Sequence, residues 1–475
     1  MILLRRLAAN ISTDCTDAGN GIKKQHSNPG ILCLNSQIIS KTGYLMKIRI
    51  TLICLALFPA GTIAQTPDIR VNSDRLNDTM QHMHSFGEND EGGSDRVAYS
   101  SHNHVALRYL SGLMLQSGLR PQVDMAGNLV GRRAGRIDGF APIVAGSHID
   151  SVPNGGHYDG VVGVMSTIEV ARTLHEAGIE LDHPLEVVIW SNEEGGKTGS
   201  RSWAGTILER ELDLPSLGEK KLGEGMAYIG GDPERLAKNA RGPGDVAGYI
   251  ELHVEQGAIL DSDGIDVGVV EGIVGIKRWY ITVSGFANHA GTTPMDRRQD
   301  ALYATSLMVA EVRRIIMGEP GRQVGTVGRL DVSPGAPNVI AGEVLFSLEI
   351  RDLSMEKVTR LFGEIEDSLT SIAATNNVEV SFDQYYESPE TPTDPALQDL
   401  VRESAATLEL SSLDMPSGAG HDGQSMKGIA PVGMIFVPSK DGISHAPSEY
   451  TSPEQIMNGA NVLLLTILRM DELLR

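Results

Sequence analysis

The amino-acid sequence predicts an α/β fold with a smaller α+β unit inserted into it. Three observations carry that reading. Between Ala141 and Glu194, apolar strand-like runs alternate with helical periodicity. From about Gly272 the chain follows a β-α-β-β-α-β order of its own. After Pro392 the first pattern resumes. A length of 475 residues, 41% hydrophobic and 21% charged, gives material for two or more domains. The formal net charge of −21 argues against a nucleic-acid surface, which needs clustered Lys and Arg.

The N-terminal part is read separately. Met46 opens MKIRITLICLALFPAGTIAQ, with Lys47 and Arg49 ahead of the apolar run Ile50 to Phe58, and Thr62-Ile63-Ala64 ahead of Gln65. That is the layout of a secretory signal peptide, and the run is too short for a comfortable membrane span. Residues 1–45 are then a non-native or disordered extension and 46–64 the signal peptide. The expected mature chain is exported to the periplasm, without stable membrane insertion. Cys15, Cys33 and Cys54 all precede Gln65. A chain starting there has no disulfide, thiol nucleophile or Cys-ligated metal, so any metal must use His, Asp and Glu.

The elements follow in order. An amphipathic helix is expected around Val71 to Phe86 and another from Ser101, ended near Gly118. QVDMAGNLVGRRAG reads as a pair of short strands turning at Gly127-Asn128, and APIVAGSHID as an apolar strand. DGVVGVMSTIEVARTLHEAG is a long helix closed by Gly178, and LEVVIWSNEE a strand with its polar residues at the C-terminal end. In the inserted unit, IKRWYITVSG and VEVSFDQYYE are strands. TTPMDRRQDALYATSLMVAEVRRIIM and MEKVTRLFGEIEDSLTSIAATNN are helices, and VGTVGRLDVSPGAPNVIAGEVLFSLEIRDL holds two or three strands. A helix near 396–408, the strand PVGMIFVPS and a closing helix complete the larger unit. The resulting boundaries are 65–272 and 386–475 for the larger domain, and 273–385 for the insert.

Strand ends in an α/β sheet collect sites, and the polar residues fall there. GSHIDSVPNGGHYDG supplies His148, Asp150, His157 and Asp159. Glu193 and Glu194 follow VVIWSN, His253 lies in YIELHVEQG, and His445 in KDGISHAPSEY. Alone, each reads as a structural or solvated residue. Together they satisfy two cations: His148, Asp159 and His253 for one, and Asp159, Glu194 and His445 for the other, with Asp159 bridging. Nitrogen and oxygen ligands suit zinc or manganese first, with cobalt and nickel as alternatives. Asp150 can take the other imidazole proton of His148 and fix its ring. His157 reads better as a nearby loop residue than as a ligand. Of the adjacent glutamates, one ligates and one serves as base, because neighbours at an extended strand end point apart. The residues alone allow either assignment.

These strings, with SNEEGG, FANHAGTTPMDRRQDA, PNVI and SGAGHDGQSM, resemble the amidase (hydantoinase/carbamoylase) branch of the dinuclear-metal M20 superfamily. That branch includes N-carbamoyl-L-amino-acid hydrolases, allantoate amidohydrolases and β-ureidopropionases. The resemblance runs from about Phe86 to the C-terminus. It implies a metallopeptidase-like catalytic domain with a central mixed sheet, an inserted dimerisation domain and a homodimer. It implies the same five ligands and two divalent ions per subunit. It assigns Glu193 as general base and Glu194 as ligand, and gives His289 an oxyanion role that can reach into the partner's site. Gln256, Asn338 and Arg351 match substrate-contacting positions, and His421 lines the site. Arg351 can hold a substrate carboxylate through its fork, while Asn338 and Gln256 can read amide groups. Three departures bear on substrate shape: EEGGKTGSRSW lacks the family's Arg-Phe pair, Ala341 stands in PNVIAG where the family has proline, and Gly423 ends GHDG where it has alanine.

The implied reaction is hydrolysis of a linear C–N amide or ureido bond in a small carboxylate-bearing substrate, such as an N-carbamoyl-L-amino acid or allantoate. The alternatives are an M20-type aminoacylase or dipeptidase, and, from another class, a noncatalytic exported solute-binding protein.

Overall fold

The computed structural model describes residues 69–475; the signal-like segment, its cleavage point and the three cysteines lie outside the described residues. The larger sheet has nine strands and is mixed. Its order is Arg120–Val123, Leu129–Arg133, Leu185–Trp190, Ile143–His148, Gly248–Val254, Val432–Val437, Val267–Ile273 and Thr391–Pro392. Ser412–Ser417 also pairs with Val267–Ile273. The four central strands run parallel. Each is buried along its whole length, which explains their continuous apolar sequences.

The parallel arrangement forces crossovers, and helices supply them. Val161–Glu176 is buried nearly all round because the sheet lies on one side and the closing helix Pro453–Leu473 on the other. The closing helix starts on a reciprocal cap: the Ser452 side chain accepts from the Gln455 N–H, and the Gln455 side chain accepts from the Ser452 N–H. Ser101–Gln116 starts on Ser100 and Pro395–Thr407 on Asp394 with proline at its first position.

A five-stranded sheet between Gly275 and Ser388 forms the smaller lobe, in the order Leu330–Ser333, Glu343–Asp352, Gly275–Ser284, Glu379–Ser388, with Val324–Thr326 also on Glu343–Asp352. Strand alternation divides its faces. Trp279, Ile281, Val283, Val344, Phe346, Leu348 and Ile350 pack under the helices Ala301–Gly318 and Met355–Thr375. Trp279 stacks on Phe362 at 3.9 Å between ring centroids. Arg278, Glu349 and Arg351 therefore point to the opposite, open face.

One expected boundary is corrected. The helix anticipated from Thr292 begins only at Ala301, where the Asp300 side chain accepts the Tyr303 N–H. Before it, Pro294 opens a short turn, and Arg298 clamps the loop by donating to the carbonyls of Ala290 and Thr293. The stretch 198–247 contains Thr198–Trp203, Leu222–Tyr228 and short helical turns.

Candidate active site

The C-terminal edges of the four parallel strands bring the ligand candidates together. His148 ends Ile143–His148, His253 lies in Gly248–Val254, and Glu193 and Glu194 follow Leu185–Trp190; His445 lies beyond Val432–Val437. The two oxygens of Asp159 face different partners. Oδ1 lies 3.3 Å from His148 Nε2 and 3.2 Å from His253 Nε2. Oδ2 lies 3.2 Å from His445 Nε2, which is 3.3 Å from Glu194 Oε1. Ligand atoms around a tetrahedral ion with bonds of about 2.1 Å stand about 3.4 Å apart. The four separations just given are close to that spacing, all ligand atoms of each set lie within 4.8 Å of one another, and both sets contain only nitrogen and oxygen donors. The residues present therefore fit two divalent ions sharing one carboxylate. Glu251, His253 and His421 also converge. There, His253 is already committed through both ring nitrogens, to Asp159 and the Val254 carbonyl, and Glu251 accepts from Ser147 and Tyr249. This third group reads as buried support for a ligand histidine.

The local backbone explains the convergence. Gly160 has φ 66°, and a Cβ there would meet His148 Nε2 at 2.5 Å, so only glycine lets the Asp159 turn close over that ring. Asn192, Lys197, Gln256 and His445 also adopt left-handed φ, from 54° to 59°. For non-glycine residues that is strained backbone of the kind found at functional sites.

Two carboxylates hold the loops from behind. Asp150 accepts the N–H groups of Glu193 and Glu194 at 3.2 and 3.1 Å. Glu449, unassigned in the sequence, accepts those of Tyr158 and Asp159 at 2.9 and 3.0 Å, and the Ser444 hydroxyl at 2.7 Å. The expected Asp150 contact is corrected in detail. His148 Nδ1 lies 3.0 Å from the Asp150 backbone carbonyl, while its carboxylate stands at 3.8 Å because it is turned toward the two glutamates. The glutamates are also not on an extended strand end. Asn192 reverses the chain, and a turn aims them.

Charges in the site follow from this packing. Burial opposes ionisation of Asp159, but the facing His253, His148 and His445 outweigh it and hold its carboxyl well below the usual range. Burial and the charge of Asp159 push Glu194 up to about 8. The hydrogen bond to Asp159 raises His445 to about 9. Burial raises Glu193, opposed by His148 and Lys197. Its carboxylate stands 4.0 Å from His148 Nε2 and takes part in neither ligand set.

These groups line a cleft of about 370 Å³ with Gln256, Arg278, Arg351, Tyr386, His421 and Lys197. Gln256 Nε2 donates to Asp159 Oδ2 at 2.6 Å. Burial, then His253, keeps His421 well below the usual histidine range, and its Nε2 pairs with the Ser417 hydroxyl at 2.8 Å. Arg351 Nε donates to Glu349 and Nη1 to the Gly418 carbonyl, both at 2.6 Å. Arg278 shares Glu349 and lies over the Tyr386 ring. His289 and Asn338 are brought to each other, not to this cleft. The strand Asn288–His289 pairs with Val339–Ile340, Ala290 donates to the Asn338 carbonyl at 3.0 Å, and both side chains are exposed. His157 stacks on His84 at 4.4 Å and serves as a loop residue.

Residues 144–469 match the model of peptidase family M20/M25/M40. The chain is 36% identical to an N-carbamoyl-L-amino acid amidohydrolase of Geobacillus stearothermophilus over 407 residues, covering 85% of this chain and 99% of the relative. It is 31% identical to a ureidoglycolate hydrolase of Arabidopsis thaliana over 424 residues, covering 86% and 89%. A solved amidase of the hydantoinase/carbamoylase family from Burkholderia multivorans superposes with a TM-score of 0.79 at 36% identity, over 85% of this chain and 99% of that one. The chain belongs to the M20 peptidase family, in its hydantoinase/carbamoylase branch.

Proposed function

We propose that this chain is a dinuclear-metal amidohydrolase. It cleaves a non-peptide C–N bond in a small ureido or amide substrate bearing a carboxylate, with N-carbamoyl-L-amino acids as the leading class and allantoate as a further member. One observation carries the reading: a single cleft joins two ligand sets on Asp159, an unligated glutamate and an arginine with donors directed at its wall. The named activities of the relatives support it.

His148, Asp159 and His253 would hold one ion, and Asp159, Glu194 and His445 the other, with zinc or manganese preferred for this donor set. When bound, such ions polarise a carbonyl and make water a stronger acid. Arg351 takes the substrate carboxylate, and Gln256 orients the ureido group. Glu193 accepts a proton from the attacking water and returns it to the leaving nitrogen. Its raised carboxyl, held apart from the ligand sets, suits a group that both accepts and donates. Hydrolysis of an N-carbamoyl amino acid yields the amino acid, ammonia and carbon dioxide.

A homodimer completes the site through the partner's His289, which meets charge developing on the carbonyl oxygen. Exposed Leu302, Tyr303 and Leu307 on the Ala301–Gly318 helix, and Leu330 on an edge strand, support pairing through the smaller lobe. The signal-like segment supports export to the periplasm, checked by N-terminal sequencing of protein from its native cell. Among the described residues no helix is long and apolar enough to cross a membrane.

The test is a turnover panel on metal-reconstituted protein: N-carbamoyl-L-amino acids, allantoate, ureidoglycolate, N-acyl amino acids and dipeptides. Turnover of ureido acids is expected. Preference for N-acyl amino acids or dipeptides makes the chain an aminoacylase or dipeptidase, and full metal occupancy without turnover favours a solute-binding role.

A further inference from the structure

We propose that Lys197 forms a second anion subsite in the cleft, selecting ureido acids whose side chain carries another carboxylate, of the N-carbamoyl-aspartate or N-carbamoyl-glutamate type. The inference rests on the substrate class proposed above. It begins at a place where the sequence departs from its family, EEGGKTGSRSW. The turn that aims Glu193 and Glu194 continues into Lys197, whose N–H donates to the Glu193 carbonyl at 2.8 Å and whose φ is 57°. Lys197 lines the cleft, on strained backbone of the kind found at functional sites.

Its ammonium is placed by a neutral partner, with the Glu193 carboxylate near enough to feel its charge but not in ion-pair contact. Nζ donates to Gln424 Oε1 at 3.0 Å, the residue is half-buried, and among the described residues no carboxylate pairs with it. The other cations of the cleft differ: Arg278 and Arg351 share Glu349. Those three leave one positive charge, which a substrate α-carboxylate offsets. Lys197 stands apart from that group, with no ion pair of its own among the described residues.

The loop Gly418-Ala419-Gly420 connects the two. Arg351 Nη1 sits on the Gly418 carbonyl. At the other end a Cβ on Gly420 would meet Lys197 Nζ at 2.9 Å and Gln424 Oε1 at 3.0 Å. Gly420 is not in the left-handed region, so its lack of a side chain makes room for the ammonium. Two residues span at most about 7 Å. A ureido acid with its α-carboxylate at Arg351 would thus extend its side chain along this loop toward Lys197. Lysine, a compact charge with three donors, suits a terminal carboxylate there.

A simpler role is tuning Glu193, whose ionisation Lys197 favours. Binding without turnover separates the two. Metal-loaded Glu193→Gln protein is titrated calorimetrically with N-carbamoyl-L-aspartate, N-carbamoyl-L-glutamate and N-carbamoyl-L-alanine, alone and with Lys197→Met or Lys197→Arg added. Lys197 should favour a diacid over the alanine derivative, and Lys197→Met should reduce that ratio about 10- to 100-fold, as for a lost hydrogen bond to a charged group. Lys197→Arg should keep most of it. An unchanged ratio in Lys197→Met overturns the subsite. So does a displaced acid limb of the kcat/KM–pH profile of Lys197→Met with an unchanged ratio, which assigns Lys197 to tuning. Protein that binds the diacid through Lys197 yet hydrolyses no ureido acid defeats the proposed reaction and leaves the subsite standing.

Discussion

Glu449 holds Asp159 from behind. Its Oε2 accepts the Asp159 N–H at 3.0 Å, and the single hydroxyl proton of Ser444 is shared between Glu449 Oε1 and Asp159 Oδ2, with Oγ 2.7 and 3.1 Å from them. The carboxylate proposed to bridge two ions is thus oriented through both its backbone and its side chain by a residue 290 positions away. Removing such support typically costs 10- to 100-fold in metal affinity. Glu449→Ala should therefore lower affinity for both ions by about that factor, read by competition with a chromogenic chelator. A thermal melt of the metal-free variant checks that it is folded. Unchanged affinity would restrict Glu449 to capping the loop.

Asp159 itself should be irreplaceable for both ions. Asp159→Ala leaves each set two protein ligands, and elemental analysis after reconstitution should fall from about two ions per chain toward zero, because three protein ligands are the usual minimum for a catalytic ion. Loss of one ion with full retention of the other would show that the sets are independent.

Glu193 and Glu194 should separate cleanly. Glu193→Gln keeps the shape of the side chain and removes the base. It should retain both ions and lose turnover by at least about 10²-fold. Glu194→Gln should instead lose an ion. Near-normal turnover in fully metallated Glu193→Gln protein would reverse the two roles.

Much of the convergence of these residues was legible in the sequence, though not which of the adjacent glutamates ligates, and what was missed shares a physical cause. His148, His253, Glu193 and Glu194 could be placed because apolar runs mark buried parallel strands and their polar residues mark where those strands end. Glu449 was missed because its partners lie in a loop near Tyr158, and nothing local in SHAPSEY announces them. The Asp150 contact was misread for a related reason. Two residues from His148 its carboxylate was a natural partner for the ring, but the tertiary fold offered it two backbone donors instead. The delayed start of the Ala301–Gly318 helix reflects competition between Pro294 and the Asp300 cap, both compatible with the same periodicity.

Cation affinity should rise with pH. In the metal-free protein Glu194 is pushed up to about 8 and His445 to about 9, so near neutral pH both carry protons that an ion must displace. Both folded-state values are raised. The protons are therefore bound below about pH 8, and competition weakens as pH climbs through 8 to 9. Calorimetry at pH 7 in buffers of different ionisation enthalpy should show net proton release on binding, shrinking by pH 9. Zero release at pH 7 would mean that the ligands are already deprotonated there.

His289 supplies the last test, because within one chain it stands on an exposed two-residue strand beside Asn338 and does not line the cleft. Either the smaller lobe closes over its own cleft, or a second subunit presents His289. Subunit exchange distinguishes them. One parent carries His289→Ala and the other Glu193→Gln, and each homodimer should be nearly inactive. If His289 acts across the interface, one site of a heterodimer retains both residues and the other lacks both, so turnover returns toward half the wild-type sites. If His289 serves its own chain, each site lacks one residue and mixing restores nothing. Heterodimers verified by differential tagging with no gain in turnover would place His289 in its own subunit's reaction. The lobe would then have to swing toward Asp159, and small-angle scattering with and without a substrate analogue should detect that closure.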